Sequence, residues 1–230
     1  MDNLCYNAVG LPVGGFDEVL FFRARSQADG GAEYYVHFME SMISMNIDKL
    51  IQTVYFILKR NGLSLNYLKL IKLLYLADRA ALDAYGETIT GNTAVSMDHG
   101  PVLSELYDYI KNTRRDESQR IWNNYFVKNG RYLDCINTDI DFGELCEYEE
   151  EILAEIDSQY KDKTPWEMVS LVHDSAVCPE WRDPNGSSLP IRKNEVLSYL
   201  GYSEEERNYL LKNANVYDAE HEKLSRATSC

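Results

Sequence analysis

The segment LSLNYLKLIKLLYLADRAALDAYG, from Leu63 to Gly86, constrains the fold more than any other part of the chain. A helix in this segment is apolar on nearly every side, because its middle contains Leu65, Leu68, Leu70, Ile71, Leu73, Leu74, Leu76 and Ala77. A helix of this kind is surrounded by other elements. We therefore predict a compact, mainly α domain around this central helix, with Ser64 as its N-cap and Gly86 as its C-terminal stop.

The composition is that of an ordinary globular protein with an acidic surface. The 230 residues are 45% hydrophobic and 26% charged, enough to bury one substantial core. The net charge is -14, and residues 139–162 contain ten acidic residues and a single basic one, Lys161. Such a protein is repelled by phosphate backbones, so the charge argues against nucleic-acid binding and favours a basic protein partner.

Cysteine use and hydropathy point to a cytoplasmic protein. The five cysteines are widely spaced and form no C-x-x-C pair, so the sequence offers neither a zinc knuckle nor a redox motif. No apolar run reaches the roughly 20 residues that span a bilayer, and the N-terminus lacks the basic region of a signal peptide. We expect reduced thiols, cytoplasmic localisation and no membrane contact.

Differences in hydrophobic periodicity divide the chain into three parts. Residues 1–44 show no sustained helical period and are predicted to be an N-terminal extension. This extension is an accessory segment, a partner-binding arm, or a stretch upstream of a true start at Met42 or Met45. Residues 45–202 form the predicted domain, and residues 203–230 form a C-terminal helix and tail.

The remaining elements are predicted from local signals. A helix with one apolar face begins near Met45 and ends at Asn61-Gly62, and Gly91-Asn92 suggests a short hairpin. Pro101 occupies a favoured first position of a helix, and Asn129-Gly130 predicts a second hairpin between IWNNYFV and RYLDCI. The class is thus mainly α, or α+β, with one or two small β-hairpins.

The second half of the chain carries several helix-start signals. An acidic helix begins near Glu147, and TPWE from Thr164 is a capping box with proline at the first helical position. Asn194 is the predicted cap of a short helix, and SEEE from Ser203 is another capping box. We expect Trp181 to pin the irregular loop between these helices.

Histidine and aspartate residues raise the possibility of a hydrolytic metal site. Imidazole and carboxylate ligands suit zinc, manganese or iron, and the candidates are Asp78, Asp98, His99, His173 and Asp174. The spacing matches no known ligand pattern such as H-E-x-x-H. The structural alternative has His99 flanking a turn, Asp98 or Asp174 complementing a helix end, and Asp78 in a partly buried ion pair with Arg79.

Other catalytic or nucleic-acid signals are weak. G-x-S-x-G and phosphate-binding glycine patterns are absent, and Cys178, five residues after His173, is a thiol of the usually buried and inert kind. Arg114, Arg115 and Arg120 form the one candidate nucleic-acid patch, although an exposed connection explains it better in an acidic chain.

Two separated segments carry a further signal: the first is LKLIKLLYLADRAALDAYGETITGNTAVSMDHGPVLSELYDYI, and the second is TPWEMVSLVHDSAVCPEW. Both are similar to the Panacea domain, also called the SocA-like antitoxin domain. The resemblance extends over roughly residues 45–200. The signature positions that it assigns to a structural or partner-binding role are Lys72, Tyr75, Asp78, Tyr85, Gly91, Gly100, Pro101, His173 and Trp181.

The resemblance implies a mostly helical antitoxin without catalytic residues, metal or cofactor. Members of this family, frequent in phages and prophages, neutralise a protein toxin encoded by an adjacent gene. They do so by direct binding or as an adaptor that delivers the toxin to a bacterial protease. The alternatives are a metal-dependent hydrolase built on His99 and His173, or a nucleic-acid-binding regulator, although no helix-turn-helix precedes the domain. Homo-oligomerisation stays open.

Overall fold

The fold is mainly α with two small antiparallel sheets, as predicted. The structure, a computed structural model, describes residues 46–212; the predictions for residues 1–44 and for the tail beyond residue 212 lie outside them. The helices are α1 Ile47–Arg60, α2 Tyr67–Tyr85, α3 Ser104–Lys111, α4 Glu117–Asn123, α5 Glu147–Gln159, α6 Pro165–Val172, α7 Lys193–Tyr199, and α8, described over 204–212. The strands are β1 Ser64–Asn66, β2 Ala94–Met97, β3 Gly100–Leu103, β4 Phe126–Asn129, β5 Tyr132–Cys135 and β6 Leu189–Ile191.

Helix α2 lies at the centre of the domain, which confirms the main prediction from the sequence. All ten residues from Lys69 to Asp78 are buried, and the helix packs against α5, α6 and β3. Its predicted end is also confirmed, because Gly86 has φ +84° and its N–H donates to the Leu82 carbonyl at 3.0 Å. Glycine adopts this left-handed conformation without steric cost.

The N-cap of α2 was predicted at the wrong residue. Asn66 is the cap, and its side-chain oxygen accepts a hydrogen bond from the N–H of Leu68 at 3.0 Å. Ser64 lies two residues earlier in β1, where its hydroxyl donates to Asp134 at 2.5 Å. The pairing of β1 with β5 holds Ser64 in an extended conformation, and this pairing has no local sequence signal.

Helix α1 buries the apolar face that its periodicity predicts. Leu50, Ile51, Val54, Ile57 and Leu58 are fully buried in the core. Burying one such side chain is worth about 1.5–3 kcal/mol, so this face is a main source of stability for the packing of α1 against the rest of the domain.

The first sheet has strand order β1-β5-β4 and contains the predicted second hairpin. The turn is shifted by one residue from the predicted Asn129-Gly130, because Asn129 pairs with Tyr132 and the loop consists of Gly130 and Arg131, with Gly130 at φ +60°. The predicted first strand was too long, because Ile121 and Trp122 belong to α4. Trp122 is 1% exposed and stacks on Tyr109, so tertiary packing overrides its β propensity.

The second sheet has strand order β3-β2-β6, and two of its features correct our predictions. The hairpin turns at Asp98 and His99 rather than at Gly91-Asn92. Pro101 lies in β3 and not at the start of a helix, since α3 begins at Ser104. Strand β3 is an edge of this sheet, where proline is tolerated because no second neighbouring strand needs its N–H.

Two of the three predicted helix caps in the second half are confirmed. Thr164 and Glu167 form a reciprocal capping box at α6, with Pro165 in the first turn, and Ser203 and Glu206 exchange equivalent bonds at α8. The prediction for α7 was wrong, because Arg192 is the cap residue. Asn194 instead accepts a hydrogen bond from Arg207 at 2.7 Å.

Candidate functional site

Three signature residues project from one face of α2 and hold different parts of the chain. Lys72, Tyr75 and Asp78 are spaced by three residues, which places them along one side of a helix. All three are almost fully buried, with exposed fractions of 0%, 3% and 3%. Buried polar groups of this kind are costly unless they find partners, so their contacts define the site.

Lys72 supports the corner at the start of β3. Its Nζ donates a hydrogen bond to the Pro101 carbonyl at 2.5 Å, deep in the core. Burial lowers the pKa of Lys72 to about 7, because the charged ammonium loses its hydration. The lysine therefore lies close to its titration point at neutral pH.

Gly100 is required at this corner by close packing and by backbone conformation. Its φ is +96°, and a Cβ atom built there would lie 2.5 Å from Val172 Cγ2 on α6. The same Cβ would lie 3.3 Å from Lys72 Nζ and 3.5 Å from His173 Cδ2. The two signature segments, which are far apart in sequence, therefore meet at Gly100.

His173 and Trp181 complete this meeting point. Their rings stack with centroids 4.0 Å apart and an interplanar angle of 17°, and Trp181 Nε1 donates to the Met97 carbonyl at 3.1 Å. Trp181 thus pins its loop to β2, as predicted. Burial, followed by the nearby Lys72 charge, lowers the pKa of His173. Its Nε2 is buried and has no hydrogen-bond partner within residues 46–212.

Tyr75 binds a buried carboxylate that sequence reasoning did not identify. Glu180 accepts hydrogen bonds from the Tyr75 hydroxyl at 2.6 Å and from Arg79 Nε at 2.9 Å. Glu180 is 3% exposed, and its buried carboxylate forms an ion pair with Arg79. This corrects the predicted ion pair between Arg79 and Asp78. The signal that could have identified Glu180 is an acidic residue directly before Trp181 in the second signature segment.

Asp78 instead holds the segment that follows α2. Its two carboxylate oxygens accept hydrogen bonds from the backbone N–H of Thr90, at 2.9 Å, and from the Thr90 hydroxyl. Burial raises the pKa of Asp78 to about 7, although both bonds from Thr90 favour the ionised form. Asp78 and Lys72 are therefore two buried groups that both titrate near neutrality.

The remaining signature positions on this side of α2 border solvent. Gly91 has φ +63° and open space around it, so the backbone conformation favours glycine here and no close contact requires it. Tyr85 is 38% exposed, and its ring lies 5.9 Å from that of Tyr148. A cavity of about 370 Å³ opens beside Tyr75, Asp78 and Gly91, with Arg79, Arg192 and Lys193 at its lining.

The residues proposed for a hydrolytic metal site do not assemble into one. Asp98 accepts a bond from the Gly186 N–H at 3.2 Å, and Asp174 accepts one from the Ala176 N–H at 2.9 Å. His99 is exposed and meets the edge of Trp166, with ring centroids 5.3 Å apart. Across the described part of the chain, no three His, Cys, Asp or Glu side chains lie close enough to hold a metal ion together.

The other two chemical candidates are also placed by the structure. Cys178 is 1% exposed, and burial raises the pKa of its thiol to about 12, which disfavours the nucleophilic thiolate. In the basic stretch, Arg114 pairs with Asp116 at 2.5 Å and Arg120 pairs with Glu117 at 2.8 Å. Arg114, just before α4, and Arg120, within α4, are therefore each paired with a nearby acidic residue.

Taken together, Lys72, Tyr75 and Asp78 form a buried polar support that joins α2 to the β3 corner, to the loop after α6 and to the segment that follows α2. The family model for "Antitoxin SocA-like, Panacea domain" matches residues 70–182, a stretch that contains all nine signature positions. Residues 70–182 therefore match the Panacea domain of SocA-like antitoxins, which confirms the resemblance over this part of the chain. Comparisons with curated proteins and with solved structures gave no match.

The structure also bears on membrane association. None of the helices within residues 46–212 is both long enough and apolar enough to cross a bilayer.

Proposed function

We propose that this protein is an antitoxin that neutralises a protein toxin, encoded by the adjacent gene, by binding it directly. The observation that carries the proposal is the match of residues 70–182 to the SocA-like antitoxin family. Lys72, Tyr75 and Asp78 hold the interior of the domain together, so in this proposal the toxin binds the outer surface.

Co-expression tests this proposal. Cells that express the adjacent gene alone should stop growing, and cells that also express this protein should grow and yield a complex of the two proteins on purification. If the neighbouring protein stays toxic and does not co-purify, the proposed function is wrong.

Direct binding and delivery to a protease make different predictions for the amount of toxin. Under simple sequestration, the toxin level is the same in normal and protease-deficient cells, and growth is rescued in both. Under the adaptor mechanism, rescue fails in the protease-deficient cells, where toxin accumulates.

A further inference from the structure

The solvent side of α5 carries a row of glutamates that the domain leaves without counter-charges. Glu147, Glu151 and Glu155 are four residues apart, exposed, and outside every ion pair in the described part of the chain. Each pair of like charges at this spacing destabilises a helix by about 0.2–0.5 kcal/mol. The same helix pairs its inward carboxylates, with Glu149 Oε1 2.7 Å from Lys49 and Asp157 Oδ2 2.8 Å from Arg60.

Exposed tyrosines adjoin this row. Tyr148 lies on the same side of α5, since at about 100° per residue it falls within roughly a quarter-turn of the three glutamates. Tyr148 is 45% exposed, and its ring centroid lies 5.9 Å from that of Tyr85 on α2. Leu210 of α8 lies against Gly86, the residue after Tyr85, so α8 with its exposed Tyr209 borders this end of α2.

An apolar groove runs along α8 at this place. Its volume is about 340 Å³, and its lining consists of Tyr202, Glu205, Glu206, Tyr209 and Leu210. Tyr202 ties the groove to α2, because its hydroxyl donates to the Asp83 carbonyl at 2.6 Å. We call the surface made by Tyr85, Tyr148, Tyr209, Glu147, Glu151 and Glu155 the acidic tyrosine face.

No lysine or arginine within residues 46–212 forms an ion pair with Glu147, Glu151 or Glu155. Lys49 and Arg60 are engaged with the inward carboxylates of α5. Arg207 donates to Asn194 and to the Tyr202 carbonyl, at 2.7 and 2.8 Å. The three glutamates therefore carry negative charge that no ion pair among the described residues offsets, and exposed tyrosines lie beside them.

We propose that the toxin docks on the acidic tyrosine face through a basic segment that has an apolar side chain among its lysines or arginines. This inference rests on the proposed antitoxin function. Tyrosine is enriched among the residues that dominate binding energy at interfaces, and complementary charge speeds association and sets the register of the partners. A second copy of this chain would bring two like-charged faces together, and a nucleic acid would add phosphate charge, so a basic protein surface fits best.

Charge reversal on α5 is the main test. The variant Glu151→Lys/Glu155→Lys should lose both growth rescue and co-purification with the product of the adjacent gene, with affinity at least about 10-fold weaker. The substitution places a lysine four residues after Glu147, an arrangement that favours the helix, so the variant is expected to melt no lower than the wild type.

A matched control separates the face from the overall charge. Asp108→Lys/Glu117→Lys makes the same change of net charge at exposed positions on α3 and α4. It also removes the exposed ion pair between Glu117 and Arg120, which is worth at most about 1 kcal/mol, so thermal melts are used to verify that the control is folded. The control should keep rescue and affinity near those of the wild type. Equal loss in both variants, or no loss in the α5 variant, would overturn the assignment of the face. Failure of the wild type itself to rescue growth would instead overturn the proposed function.

The tyrosines are tested separately. Tyr148→Ala should weaken binding by about 10-fold or more without changing its salt dependence, because it removes contact area and not charge. The Glu151→Lys/Glu155→Lys variant, in contrast, should bind with a flatter salt dependence. Unchanged affinity of Tyr148→Ala would remove Tyr148 from the proposed interface.

Discussion

At the scale of single residues, the domain is unusual in burying two ionisable groups that both titrate near pH 7. Lys72 and Asp78 lie on the same face of α2, and each has one main partner, Pro101 and Thr90 respectively. Burial moves the two pKa values in opposite directions, from 10.5 and from 3.8, to about 7 in each case. Their effects on stability therefore fall in different pH ranges.

We predict that Lys72 makes stability rise with pH above neutrality. Between pH 7 and 10.5 the unfolded chain keeps a proton on this lysine that the folded protein has lost, so the free energy of unfolding should increase by a few kcal/mol. In Lys72→Met this increase should be absent. Urea unfolding at pH 7, 8.5 and 10 measures it, and parallel curves for the two proteins would contradict the prediction.

Asp78 provides a control with the opposite sign. Between pH 3.8 and 7 the folded protein holds a proton on this carboxyl that the unfolded chain has lost, so stability should fall as the pH rises. Asp78→Asn should lose this decrease and keep the alkaline increase that Lys72 produces. The pair of variants thus separates the two groups.

Gly100 yields a prediction about packing. Gly100→Ala should lower the free energy of unfolding by about 1–3 kcal/mol, because its Cβ would overlap Val172 at a φ of +96°. Gly91→Ala is the matched control, since its φ is also positive but nothing lies within 4 Å, and it should cost less. Adding Val172→Ala to Gly100→Ala should relieve part of the strain, measured as a double-mutant cycle.

At the scale of elements, the sequence predicted the parts whose signals are local. The apolar surround of α2, the Asn129-Gly130 hairpin and the Thr164 capping box all lie within a few residues of the structure that they specify. The errors arose where a distant strand decides the local conformation. Ser64 is extended because β1 pairs with β5, whose Asp134 is 70 residues away.

The candidate site was only partly predictable for the same reason. The signature positions were identified by resemblance, but their partners could not be read from spacing. Glu180 binds Tyr75 and Arg79, which lie more than 100 residues earlier in the chain. Nearest-neighbour reasoning paired Arg79 with Asp78 instead, because a short sequence window contains no information about which elements pack together.

The corrected cap of α2 can be tested by two single substitutions. Asn66→Ala should destabilise the protein by about 1 kcal/mol, because the N–H of Leu68 loses its side-chain acceptor at a helix start. Ser64→Ala, at the residue first predicted as the cap, should change stability by less than about 0.5 kcal/mol. The reverse order in urea unfolding would contradict the assignment of Asn66 as the cap.

At the scale of the whole molecule, we predict that residues 45–212 suffice for folding and for binding. The core and the signature contacts described above are formed by residues in this range. A fragment of these residues should unfold in one cooperative transition and rescue growth as the full chain does. A fragment that folds but does not rescue would assign partner binding to residues outside the range, such as the N-terminal extension.

The contact between Tyr75 and Glu180 can form only after both residues have been synthesised. The two residues are 105 positions apart, so a ribosome adding 5–20 residues per second makes the carboxylate roughly 5–20 s after the tyrosine that needs it. During that interval α2 exists without the acidic partner of Tyr75 and Arg79. A newly made chain therefore completes this buried contact only after residue 180 has been synthesised.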